Sequence, residues 1–186
     1  MEQVGTTERR SDVIVFLRSQ HTLLRELLGA VLVVRGEDRG QAFARLRRTL
    51  AVHEAAEQAM LHPLARRTLP RGGSIVAARV AEEEATKSAI AALERLNVDS
   101  AEFEAGFHVA EATVLRHIQA EEREEFSILA GRSDGAPPGR MRELAELAET
   151  IAPKRLREGI APRIANALAG PFDVMVERAR EALSKG

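Results

Sequence analysis

The sequence predicts an all-α protein, an up-down-up-down four-helix bundle with additional C-terminal helices. Three observations predict it. Helix formers dominate, and no segment sustains the apolar–polar alternation of a half-buried strand. Four long stretches repeat apolar residues at steps of three and four, which puts them on one face of a helix. Short connections bearing Gly or Pro separate these stretches, and short connections make successive helices antiparallel neighbours.

The first stretch runs from about Ser11, a candidate N-cap, to Val34 and ends at Arg35-Gly36-Glu37-Asp38. The second runs from about Arg39 to Arg67 and stops before Leu69-Pro70-Arg71-Gly72-Gly73. Pro63 falls in its last turns and is expected to end or kink it. The third opens at Ser74, another candidate cap, and reaches about Leu96. The fourth follows Asp99-Ser100 and ends near Gly131. A loop over 133–139, a helix over about 140–150, a segment over 151–169 read as open to extended structure, and a last amphipathic helix over about 171–184 complete the chain. The expected organisation is a four-helix bundle over 11–131 and a helical extension over 132–186, packed on the bundle or on a partner.

Composition narrows the function. Lys and Arg number 27 against 28 Asp and Glu, a formal charge of −1. That balance lacks the basic excess with which nucleic-acid binders displace counterions from phosphate. No apolar run approaches the ~20 residues needed to span a bilayer. The start, Met1-Glu2-Gln3-Val4, lacks the charged-then-apolar form of a signal peptide, so a cytoplasmic location is expected. Without Cys there are no disulfides, thiolate ligands or cysteine nucleophiles.

The apolar seams carry the chemistry. The first reads Ile14, Leu17, His21, Leu24, Leu28, Val31. The second reads Phe43, Leu46, Leu50, His53, Glu57, Met60, Leu64. The fourth reads Phe103, Phe107, Ala110, Val114, His117, Glu121, then Glu124 and Ile128. Each places its polar residues near mid-length, where antiparallel helices bring them to similar height. Burying a carboxylate without compensation costs several kcal/mol. The basic seam candidate, Lys87, cannot balance several carboxylates, whereas one or two metal cations can.

His53 and Glu57 are spaced i, i+4, as are His117 and Glu121, so each pair projects from one helix face. Each helix can then give an imidazole to one metal and a carboxylate that bridges to a second, as in carboxylate di-metal bundles. Nitrogen and oxygen donors without sulfur suit iron or manganese and admit zinc. The third seam reads Val76, Val80, Glu83, then Thr86 or Lys87, then Ile90 and Leu93. Glu83 is its expected ligand, with Glu84 as the fallback. His62 and His108 each lie nine residues from a proposed ligand, on the far side of an ideal helix, and read as structural or surface residues. Glu124 can ligate or accept a hydrogen bond, and Lys87 is placed near the site.

These residues resemble the hemerythrin HHE cation-binding family over about 11–131. The resemblance rests on His21 alone on the first helix, His53-Glu54-Ala55-Ala56-Glu57 with Leu61-His62-Pro63 downstream, and His117-Ile118-Gln119-Ala120-Glu121-Glu122. It implies two non-haem iron ions, oxo- or hydroxo-bridged, and a small-molecule ligand such as oxygen, peroxide or nitric oxide; it allows for a homodimer. The family's third-helix His is missing from the context Glu82-Glu83-Glu84-Ala85-Thr86-Lys87. The pattern is therefore closer to a carboxylate-rich branch similar to hemerythrin-like proteins of actinobacteria. There, and in the iron-sensing hemerythrin domain of an F-box ubiquitin ligase, the HExxE motif implies that Glu54 also coordinates. The expected metal ligands are thus His21, His53, Glu54, Glu57, Glu83, His117 and Glu121.

More carboxylate on the metals favours the ferric state over reversible oxygen carriage. The expected function is redox chemistry on oxygen or peroxide, catalase-like or oxidase-like. An iron- or oxygen-sensing module without turnover is the alternative from the binding class, and a metal-free helical scaffold is the third.

Overall fold

The computed structural model describes residues 4–130, 138–151 and 168–184. Helix α1 spans Val4–Val33, α2 Gly36–Ala56, α3 His62–Thr68, α4 Gly72–Leu93 and α5 Ala101–Glu121; α6 is the short Ser127–Leu129. A π turn, Glu57–Leu61, joins α2 to α3, and a second, Glu122–Phe126, joins α5 to α6. Helices α7, Pro138–Ile151, and α8, Phe172–Ser184, follow. No strand occurs among the described residues. No described helix is long and apolar enough to cross a membrane.

Four rods close a ring, with α1 against α2 and α5, and α4 against α3 and α5. The apolar seams of the first two rods are buried much as their spacing requires: Leu17, Leu24 and Leu46 are fully enclosed, as are Phe103 and Phe107 on the fourth. Helix α5 starts where the sequence indicates, the Ser100 hydroxyl accepting from Phe103 N–H at 3.1 Å.

Other boundaries differ from expectation for local reasons. Ser11 lies inside α1, which extends back to Val4; Thr6 to Arg10 contain no helix breaker. Ser74 lies inside α4, which starts at Gly72 after Arg71 in the left-handed region (φ 60°). Pro63 does not end its rod. Proline cannot donate to the carbonyl four residues back, and the wider π turn just before it takes up that change, with His62 N–H bonded to Glu57 O. Helix α7 begins at Pro138, inside the expected loop, as suits a proline in a first helical turn. The rest of that loop and most of the segment expected over 151–169 lie outside the described residues.

Helix α8 turns Phe172, Met175, Val176, Ala179 and Leu183 inward and packs on α2, α4 and the first π turn. Its start is tied down by Glu94, which accepts from Phe172 N–H at 2.9 Å and pairs with Arg47. The carboxylate satisfies a free N–H and sits at the positive end of the helix.

The tightest turn is the approach of α4 to α3. A Cβ on Gly72 would run into the Ala65 carbonyl oxygen and come within 2.9 Å of Arg66 Cα, both backbone. Gly72→Ala is therefore expected to cost about 1–3 kcal/mol as overpacking. Thermal denaturation reads this as roughly 2–4 °C of lost melting temperature per kcal/mol; an unchanged melting temperature would contradict the close approach.

Candidate metal centre

The middle of the bundle holds His21, His53, Glu54, Glu57, Glu83, His117 and Glu121, all buried. One ligand atom from each of His21, His53, Glu57 and Glu121 lies within 4.8 Å of the others. A second group, Glu57, His62 and Glu83, meets the same limit and shares Glu57 with the first. His117 Nε2 stands between the two carboxylates, 3.3 Å from Glu57 Oε1 and 3.6 Å from Glu121 Oε2. Glu54 is buried beside Glu83 and Lys87, outside both groups, with neither carboxylate oxygen hydrogen-bonded.

Two imidazoles are aimed inward from behind. His21 turns Nδ1 to Glu122 at 2.9 Å, and Arg25 grips both oxygens of Glu122 at 3.1 and 2.9 Å. His117 turns Nδ1 to Glu82 at 3.0 Å, and Arg79 holds Glu82 at 3.1 Å. A carboxylate at Nδ1 holds a proton on that nitrogen and leaves Nε2, which meets Glu121 or Glu57, as the atom a metal would take, the usual support of a metal-bound histidine. Neither Glu82, Glu122 nor Arg79 is singled out by seam reading. Their available signal is helical spacing: Arg25 is i+4 from His21, and Arg79 is i−3 from Glu82.

The third and fourth seams depart from their expected register. Arg79 is buried and Val80 is 43% exposed, so the third seam runs Val76, Arg79, Glu83, Thr86. The guanidinium is tolerated because it meets Glu82 and Glu124 and lies 3.6 Å from Glu125. Beyond Glu121 the fourth seam continues through the buried Glu125, Phe126 and Leu129, while Ile128 is 38% exposed and Glu124 lies outward with Arg79 and Arg123. The π turn Glu122–Phe126 carries one more residue per turn and shifts the face by that residue. The same effect brings in His62. Read on an ideal helix it falls away from the site, but the turn Glu57–Leu61 rotates it back. It is buried, with Nε2 3.1 Å from Glu83 Oε1. His108 is on the surface beside Glu111.

The electrostatics describe a site short of positive charge. Burial opposes a proton on His53, but the Glu57 and Glu121 carboxylates outweigh it and raise the imidazole to about 10. His117 is raised by the same two carboxylates against its burial. Burial works to raise Glu57, but His53 and His117 hold it well below the usual carboxylate range. Burial, then Glu57, pushes Glu83 up to about 8; burial, then Glu121, does the same for Glu125. Burial and Glu83 raise Glu54, and burial lowers His62. Protons are serving here as the balancing cations.

The donor set fits a metal. His53 Nε2 and Glu57 Oε1 are 2.9 Å apart, and His62 Nε2 and Glu83 Oε1 3.1 Å, yet His53 Nε2, His62 Nε2 and Glu83 Oε1 make no hydrogen bond. Glu57 Oε2 and Glu121 Oε1 are also buried without a partner. Buried polar atoms are ordinarily satisfied. His21 Nε2 bonds Glu121 Oε2 at 3.1 Å and His117 Nε2 bonds Glu57 Oε1 at 3.3 Å, but the other donor atoms crowd together without bonding, which suits convergence on a shared cation.

Comparison with known proteins agrees with this geometry. The model of the hemerythrin HHE cation binding domain matches residues 12–129. No curated protein and no solved structure matches the chain. A family match over more than half the chain, with buried His and Glu groups able to hold a metal ion, places this protein in the hemerythrin HHE cation-binding family.

Proposed function

We propose that the chain is a non-haem di-iron protein that reacts with oxygen or peroxide. The observation that carries this reading is the sharing of Glu57 by two ligand groups, which is what a carboxylate bridging two metal ions requires. His21, His53 and Glu121 would hold one ion and Glu83 and His117 the other, with Glu121, 3.6 Å from His117 Nε2, as the second shared carboxylate. Bound iron would supply one-electron redox chemistry toward oxygen species.

The chain's own residues set the conditions. Leu24, Leu50, Val114 and Ile118 wall a pocket with room for about one water-sized molecule beside His53, Glu83 and His117. Those walls keep bulk water from the site and admit only a very small ligand. The carboxylate-rich donor set favours the more highly charged metal state. Anaerobic loading, metal analysis and a visible spectrum test the reading. About two irons per chain are expected, with a ligand-to-metal charge-transfer band appearing on mixing the reduced protein with oxygen or peroxide. A stable, reversible oxygen adduct would contradict redox turnover. Glu57→Gln, which removes the shared ligand, should leave less than about one iron per chain.

The iron- or oxygen-sensing alternative gains from one contact, that of α8 with the π turn carrying Glu57. Truncation near Gly135 separates the two: peroxide reactivity should survive it, while a partner response should not.

Two further expectations concern the supporting residues. Glu122→Ala or Arg25→Ala should weaken iron binding about 10–100-fold while leaving the His and Glu ligands in place; equal affinity in a competition titration would show that aiming His21 is unimportant. The proton balance gives a pH dependence. Metal binding needs neutral His53 and ionised Glu83, whose pKa values in the metal-free chain are raised to about 10 and about 8. Below these values a metal must displace protons, so affinity should fall as pH falls, about tenfold per unit for each proton displaced. Calorimetry in buffers of different ionisation enthalpy near neutral pH should register proton release; a buffer-independent heat would refute it.

A further inference from the structure

We infer that His62 is a ligand of the second metal position, the imidazole that α4 does not supply. The inference rests on the two-metal reading above and assigns a residue that reading does not require. Helix α4 has no histidine, so on the Glu83 side the ligands facing Glu57 include none from that helix. His62 reaches this place from the neighbouring rod.

The backbone explains how. One turn beyond Glu57 an ideal helix would present Met60 or Leu61. Here the His62 N–H bonds to the Glu57 carbonyl, closing an i to i+5 turn that stacks His62 on the Glu57 side of the rod. Its Nε2 is buried without a hydrogen bond, 3.1 Å from Glu83 Oε1, which also lacks one. The other oxygen of Glu83 accepts from Gln58 Nε2 at 2.6 Å. Gln58 lies in the same π turn, so one short segment carries Glu57, orients Glu83 and delivers His62. A hydrogen-bonded core histidine would direct a nitrogen at its neighbour. Two unpaired atoms side by side, with Glu57 inside the same 4.8 Å group, instead suit a shared cation.

The test is anaerobic Fe(II) titration of the metal-free full chain, wild type beside His62→Leu and His62→Gln, with metal content measured after desalting. Wild type should take about two ions per chain and each variant about one, at unchanged helicity. Retention of two ions in both variants overturns the assignment of His62 and leaves the two-metal reading standing. A wild type that holds no more than one ion overturns both. A measurement on the unaltered protein guards against variants that do not fold: ring ¹⁵N NMR during Zn(II) titration. The His62 ring nitrogen should shift to a metal-bound position over the second equivalent, while the surface His108 stays put. An unmoved His62 resonance at full loading overturns the inference.

Discussion

Everything at the middle of this bundle follows from one electrostatic constraint, several carboxylates enclosed by apolar side chains with too few fixed cations to balance them. Glu54, Glu57, Glu83, Glu121 and Glu125 are buried, and the guanidinium enclosed with them is that of Arg79. An ionised carboxylate moved from water into such an interior loses several kcal/mol of hydration that only a close opposite charge restores. Without metal the site recovers part of this by holding protons on His53 and His117 and by keeping Glu83 and Glu125 in the range where they stay protonated. That arrangement is badly hydrogen-bonded. The orphaned oxygens and ring nitrogens are what remains when protons, which satisfy one direction each, stand in for an ion that satisfies several.

The periphery of the site is built to the opposite specification. Behind His21 and His117 each Nδ1 meets a carboxylate, and each chain of contacts ends in an arginine, Arg25 or Arg79. Arginine suits this place because its planar fork holds a carboxylate in a fixed plane and keeps its charge at any accessible pH. Glu122 is accordingly held below the usual carboxylate range, Arg25 outweighing the partial burial. The contrast between imidazoles aimed from behind and unpartnered donor atoms at the centre suits a binding site better than an imperfect core.

The four rods and the convergence of His21, His53, Glu57, Glu83, His117 and Glu121 were legible because helical spacing is regular and polar residues on an apolar seam stand out. What escaped the sequence reading escaped where that regularity stops. His62, Glu125 and the outward turn of Glu124 and Ile128 all depend on π turns, and one extra residue per turn changes which side chain faces inward. Pro63 was expected to end or kink its helix, although a proline is also well accommodated after a widened turn. Arg79 escaped for a different reason. Spacing from Val76 and Glu83 puts it on the seam, but a buried guanidinium is acceptable only beside carboxylates from another helix, and a single helix does not display those.

The two π turns sit at equivalent places, each beginning at or just after the glutamate of a His-x-x-x-Glu pair. A π turn is less favourable than the α-helical turn it replaces, and it persists where surrounding contacts over-determine it. Here those contacts include the ligand groups themselves. Glu57 and Gln58 lie in one turn with His62 at its end, and Glu125 lies in the other. A cation drawing these side chains together would stabilise the turns, and the first turn sets the register by which α3 meets α4. Occupancy of such a site would then be coupled to local backbone geometry along the rod that carries Glu57.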